Sequence, residues 1–328
     1  MPVNYNRVLY SAICTGELYS YWACICLRSF KDLVSEPVTW EICTTEEWKD
    51  KLEAKLSKFK DEGITLIYTV MTSVSNEVDI DKYTTMDWTP HNSADYFMWR
   101  VKHLDELKAS HKWDTVITVD FDAIFLRSPI PLVQKFIDSS LTYAGAREFH
   151  KIYEVFRDKG KVISPIGAFK NKTYFNLGMG FLNLNKLPDN MWQMYKDMSK
   201  GKEDWFNTQD QFFLSQIVDE SEKLILEDAQ LVVHSAWVPE GRINRNPYLI
   251  HFSPKQSDMF KPFTSEHVCA LHIVKLKYYK KFAQLAFKCL EFIPEEYLKI
   301  IKTNLVFIKL VFTFQKKLLE HYINFYKI

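Results

Sequence analysis

The chain has 328 residues, 47% hydrophobic and 25% charged, which excludes a disordered polypeptide and allows one large globular domain with a substantial core. Its formal net charge of +1 gives no electrostatic footing for nucleic acid. With 9 glycines against 15% aromatic residues, glycine-rich low complexity is excluded too.

Residues 7–14, RVLYSAIC, read as a first strand, and Thr15-Gly16-Glu17 as a turn. Over 18–31, Tyr19, Trp22, Ala23, Cys26 and Phe30 recur at helical spacing. A second strand is expected near 38–43. Thr44 with Glu47 has the form of a capping box for a helix that ends at Gly63. ITLIYTVM, 64–71, reads as a third strand; a polar loop from Thr72 to Ser93 leads to a helix at about 94–110 and then a strand at 115–120. Strands alternating with helices predict an α/β fold with a mostly parallel sheet.

The second half is less regular. LTYAGA (141–146) and YFNLGMGFLNL (174–184) read as strands, and His150–Lys172 between them as a basic loop. MWQMYKDM and QDQFFLSQIV are expected as helices, and LILED, LVVHS and YLIHF as short strands. After about Glu266 the pattern becomes helical to the end. The domain organisation expected is therefore 1–265 followed by a helical C-terminal extension, 266–328.

No basic stretch followed by an apolar run opens the chain, and no run of about 18 uncharged apolar residues occurs. Neither a secretory signal nor a membrane-spanning helix is expected, and the location expected is cytoplasmic. The six cysteines (14, 24, 26, 43, 269 and 289) form no Cys-x-x-Cys pair, and are expected as reduced, mostly buried thiols. Asn171-Lys172-Thr173 is formally a glycosylation sequon, expected to be idle.

The chemistry concentrates in TVITVDFDAIFLR, 115–127. A β-branched apolar run ends in Asp120-Phe121-Asp122, and apolar sequence resumes at once. Ligands of α/β sheets gather at the carboxyl ends of strands. Two carboxylates one residue apart at that edge suit Mg²⁺ or Mn²⁺, and through the ion a phosphate. Asp-x-Asp by itself is a weak signal, and the chain carries a second copy, Asp79-Ile80-Asp81, in the polar loop. A hydrogen-bonded core Asp beside a turn Asp is the alternative reading of 120–122.

Several motifs in order over roughly residues 7–265 resemble glycosyltransferase family 8, the glycogenin-like retaining sugar-nucleotide transferases. The resemblance implies a GT-A type fold, a single Rossmann-like domain. It places Ile13, Thr15, Gly16 and Tyr19 at the uridine, with Arg100 in YFMWRVKHL approaching the diphosphate and Lys102 second to it. Phe175-Asn176-Leu177-Gly178 is similar to the family's Phe-Asn-x-Gly strand, which implies Asn176 at the sugar hydroxyls. Thr208-Gln209-Asp210-Gln211 resembles its Asp-Gln pair, with Asp210 on sugar hydroxyls and Gln211 near the anomeric carbon as the catalytic residues. In YLIHFSPKQSDMFKPF, 248–263, His251 would be the third metal ligand beside Asp120 and Asp122. Pro254 stands where the family has Gly, Lys261-Pro262-Phe263 comes late, and Lys255 competes with Lys261 for the diphosphate. The cofactors implied are Mn²⁺ (or Mg²⁺) and a UDP-sugar donor; the acceptor, whether glycan, protein or small molecule, is open. A haloacid dehalogenase-type phosphohydrolase using Asp120 and Asp122, and a non-catalytic sugar-nucleotide-binding module of the same fold, are the alternatives.

From Cys269 to Ile328 the extension has eleven Lys against four Glu and no Asp, interleaved with aromatic and aliphatic residues. Such a basic amphipathic helix can pack on the core or lie on an anionic membrane surface.

Overall fold

The computed structural model describes residues 5–74, 77, 91–149, 157–158, 161–162, 172–199, 209–232, 246–252, 259–262 and 273–325. The alternation read from the sequence is present. Strands β1 (Val8–Ile13), β2 (Val38–Thr44), β3 (Ile64–Val70) and β4 (Thr115–Val119) are parallel, connected through helices α1 (Glu17–Lys31), α2 (Glu46–Asp61) and α3 (His91–Ala109). β5 (Ala123–Phe125), α4 (Ile130–Ser139), β6 (Tyr143–Phe149) and the two-residue pair β7 (Arg157–Asp158) and β8 (Lys161–Val162) follow. Next come β9 (Tyr174–Asn183), α5 (Met191–Ser199), α6 (Gln209–Ile217), β10 (Lys223–Ile225), β11 (Gln230–Val232) and β12 (Leu249–His251), then α7 (Ile273–Lys288) and α8 (Glu295–Phe325).

The central sheet has seven strands in the order β10-β6-β9-β4-β1-β2-β3. All neighbours are parallel except β9, which runs against both β6 and β4. A small second sheet, β11-β12-β5, lies beyond the end of β4. Alternate side chains of the central strands feed two cores. Tyr10, Trp40, Ile117 and Val119 pack with α1, α2, α4 and the C-terminal helices, while Leu9, Val116 and Leu182 pack with α3, α5 and α6. This two-sided burial is why the strands read as continuous apolar runs.

Two local expectations are corrected. Thr44 does not cap α2: it stays paired with Val70 in the sheet, and Thr45 occupies the N-cap position with no side-chain cap bond. Helix α3 begins three residues earlier than the pattern predicted. The α2 stop is as read, with Gly63 at φ +88° just after the helix, a conformation only glycine takes without strain.

Cys14, Cys24, Cys26, Cys43 and Cys289 are free and buried, and burial pushes their thiols up. Cys269 lies outside the described residues.

The basic extension joins the same core as the sheet. Phe282 of α7 lies 5.0 Å from Trp22 of α1, and the Tyr279 hydroxyl donates to the Met259 carbonyl at 3.0 Å. Asn304 of α8 in turn donates to the Tyr279 hydroxyl at 2.8 Å. Burying Tyr279 and Phe282, both 0% exposed, is worth about 1.5–3 kcal/mol each. The outer side of α8 leaves Val306 and Leu310 about 60% exposed among Lys299, Lys302 and Lys309. Among the described residues no helix is long and apolar enough to cross a membrane.

Candidate active site

The strand order reverses between β1 and β4, and a crevice at the carboxyl ends of these strands is where α/β sheets take ligands. β1 ends there at Ile13, followed by Thr15 and Gly16 at the start of α1. Gly16 holds φ +82°, and a side chain there would meet nothing within 4 Å, so the first turn of α1 opens onto free space. Amide groups of a helix start in that position can face an anion or a polar ring. Tyr19 is half-buried one turn further on.

β4 ends one residue before Asp120, whose amide donates to the Gly178 carbonyl of β9 at 3.2 Å. Phe121 is fully buried and stacks on Trp40, 6.0 Å between centroids. This anchored ring sets the flanking carboxylates: Asp122 is 2% exposed, while the Asp120 side chain is 25% exposed.

The small sheet delivers the third group. Antiparallel pairing with β5 sets His251 opposite Ala123, and Phe252 donates its amide to the Asp122 carbonyl at 2.8 Å. His251 Nε2 lies 3.2 Å from Asp122 Oδ1 and 3.5 Å from Asp120 Oδ2. One ligand atom from each of the three residues falls within a 4.8 Å group. Two carboxylates and an imidazole, one carboxylate open to solvent, are a donor set that fits Mn²⁺ or Mg²⁺.

Behind the imidazole stands Asn176 of β9. Its Oδ1 accepts the Gly178 amide at 2.8 Å and lies 3.2 Å from His251 Nδ1. Gln230 of β11 donates Nε2 to the Asn176 main-chain carbonyl at 2.7 Å. A Cβ on Gly178 would come within 2.3 Å of His251 Nδ1 and 2.8 Å of Asn176 Oδ1, so only glycine fits.

Arg100 of α3 enters from the other side, its side chain 7% exposed. Nη1 donates to Asp210 Oδ2 at 2.8 Å and Nη2 to Asp120 Oδ1 at 3.3 Å. The guanidinium thus ties the Asp-x-Asp edge to the start of α6. Asp210 is fully buried; burial pushes its carboxyl up to about 6, against the pull of Arg100 and the Gln211 amide. Gln211 Oε1 is buried and has no partner among the described residues.

Lys261 is exposed, and its main-chain carbonyl is held by Asn304 of α8 at 2.9 Å. Lys102 pairs with Glu77 at 2.8 Å. Lys255, Thr208 and the second Asp-x-Asp at 79–81 lie outside the described residues, as does most of 150–172.

A network the sequence reading missed underlies Arg100. His103, one turn along α3, places Nε2 2.8 Å from Glu41 Oε1 of β2. Glu41 also accepts from Thr69 at 2.7 Å and Ser11 at 3.0 Å. Cys43 lies near enough to make a second three-residue group with them. The imidazole and carboxylate already satisfy each other, so the group reads as a buried ion pair. The signal in the sequence was an acid inside an apolar strand, VTWEICT.

This seven-stranded, mostly parallel sheet with its ligand edge at Asp120 has the GT-A glycosyltransferase fold. No family model matches the chain, and no curated protein matches it in sequence. Solved structures do. Mouse xyloside xylosyltransferase 1 in its apo form superposes with a TM-score of 0.52 at 14% identity, over 76% of this chain and 98% of that one. The galactosyltransferase LgtC in complex with donor and acceptor sugar analogs gives 0.53 at 16% identity, over 89% and 99%. The WbbM bifunctional glycosyltransferase gives 0.58 at 15% identity, over 92% of this chain and 52% of WbbM.

Proposed function

We propose that this chain is a divalent-metal-dependent glycosyltransferase of the family 8 kind, moving a hexose from a UDP-sugar to an acceptor hydroxyl with retention of configuration. The observation that carries the reading is the convergence of Asp120, Asp122 and His251 within 4.8 Å at the strand-order reversal of a GT-A fold. These residues would hold Mn²⁺ or Mg²⁺, which supplies Lewis-acid charge to a diphosphate leaving group.

The chain's own residues supply the rest. The α1 start at Thr15 and Gly16, with Ile13 and Tyr19 beside it, receives the nucleotide. Arg100 holds Asp120 and Asp210 in fixed relation and adds positive charge in a water-poor site. Asp210 accepts hydroxyls of the transferred sugar. The buried Gln211 Oε1, which has no partner among the described residues, orients the reacting face, while the acceptor attacks from the side the diphosphate leaves. Lys255 or Lys261 meets the diphosphate. We place the protein in the cytoplasm, with the Val306 and Leu310 side of α8 against an anionic membrane surface.

The test is a screen of UDP- and GDP-sugars with the Mn²⁺-loaded protein, read by thermal shift and by slow donor hydrolysis. A preparation that neither binds UDP nor hydrolyses any UDP-sugar would overturn the reading. Turnover of a generic aryl phosphate in its place would favour the phosphohydrolase chemistry that Asp-x-Asp also serves.

A further inference from the structure

We infer that Asn176, backed by Gly178, is a positioning residue for His251: it fixes the ring proton on Nδ1 and so leaves Nε2 as the atom offered to the Asp120–Asp122 edge. The inference rests on the metal-dependent reading above and adds to it a reason for the Asn-x-Gly spacing.

Three contacts carry it. The Gly178 N–H can only donate, and it lies 2.8 Å from one side-chain atom of Asn176; that atom is therefore the amide oxygen, not the nitrogen. The same oxygen lies 3.2 Å from His251 Nδ1. An amide oxygen can only accept, so the proton of that contact belongs to Nδ1. The opposite nitrogen, Nε2, then faces Asp122 at 3.2 Å and Asp120 at 3.5 Å, and it is the nitrogen that a metal ion held there would take. Imidazole ligands are commonly oriented by such a bond on the far nitrogen.

The support is closely built. Asn176 is 4% exposed and His251 3%. The Asn176 main-chain carbonyl accepts from Gln230 Nε2 at 2.7 Å, which pins the strand behind the amide. The missing Cβ at Gly178 is the space His251 Nδ1 and Asn176 Oδ1 share. Asn176 and Gly178 lie where the pairing of β9 with β6 is irregular, and the Gly178 amide bonds the Asn176 side chain two residues back.

The experiment is ¹⁵N NMR of histidine-labelled full-length protein, with the His251 signals identified by their absence in His251→Gln. The expected result in the metal-free protein, read at a pH high enough for the ring to be neutral, is a protonated Nδ1 and a bare Nε2. A neutral ring with a bare Nδ1 overturns the inference. Mn²⁺ affinity, followed by EPR, is expected to fall about 10- to 100-fold in Asn176→Leu and to be largely recovered in Asn176→Asp, which keeps the acceptor. Equal affinities in Asn176→Leu and wild type also overturn it. A protonated Nδ1 in a wild-type protein that binds no Mn²⁺ supports the tautomer assignment and overturns the metal-dependent reading instead.

Discussion

His103 Nε2 lies 2.8 Å from Glu41 Oε1, an ion pair between helix α3 and strand β2 that is buried on both sides. Burial works against the charge on each partner. The His103 bond and charge, with Thr69 and Ser11, nonetheless hold Glu41 below the usual carboxylate range. Bonds from Glu106 and Glu41 raise His103 to about 9.

Because the folded His103 binds its proton more tightly than the unfolded one, its contribution is fully present below about pH 6.5 and is lost as pH rises through about 9. The Glu41 part has the opposite sense and is lost on acidification. Thermal melts from pH 7 to 9.5 are expected to show a steeper fall in Tm for wild type than for the Glu41→Gln/His103→Gln double variant. His103→Leu alone, which strands Glu41, is expected to cost about 3–5 kcal/mol at pH 7.

Asp122 is nearly fully buried and faces His251. On the proposed function Asp122→Asn removes a ligand charge, and metal-dependent UDP-sugar turnover is expected to fall at least about 100-fold. Asp138→Asn, on the exposed face of α4 where Gln134 meets the carboxylate at 2.7 Å, serves as the control and leaves turnover unchanged.

Arg100 and Asp210 form a second buried pair, and removing one member strands the other. Arg100→Met is expected to destabilise the fold by about 3–5 kcal/mol in urea titrations, and Arg100→Met/Asp210→Asn by less. Additive losses in the two single variants would show that the pair is not coupled.

Gly178→Ala puts a methyl 2.3 Å from the His251 ring. Something must shift, and the ring or Asn176 is what can. The variant is expected to lose Mn²⁺ affinity at least about 10-fold, measured by EPR, in excess of any fall in Tm.

The exposed Val306 and Leu310 flanked by lysines give a further test. Val306→Glu/Leu310→Glu is expected to reduce co-sedimentation with anionic vesicles, and added salt to weaken wild-type binding. Unchanged co-sedimentation would place the membrane contact elsewhere or nowhere.

The parallel half of the sheet was legible because β1, β2 and β4 are buried on both faces and the helices carry apolar stripes. The Asp-Phe-Asp edge was legible because two charges interrupt an otherwise apolar stretch. Thr44 was misread because strand pairing, which no local pattern records, holds it in the sheet past the point where a cap would form. Partnerships at long range were out of sight for the same reason. Glu41 and His103 are 62 residues apart, and Asn176 and His251 are 75 apart. The sequence marks each as a polar residue among apolar ones but cannot say which finds which. The contacts of Asn176 with Gly178 and His251 are of this kind.

Strand β9 runs against both of its neighbours. Its first residues, Tyr174 to Gly178, therefore lie toward the edge where β4 finishes, with the Gly178 carbonyl accepting the Asp120 amide. Most connections in a parallel sheet have one end far from the ligands and can lengthen or shorten there without consequence. Between β6 and β9, by contrast, both flanking strand ends lie at the same edge. The described ends of β6 and β9, Phe149 and Tyr174, pair with each other, while the pairing of β9 with β4 from Met179 onward keeps the sheet in register.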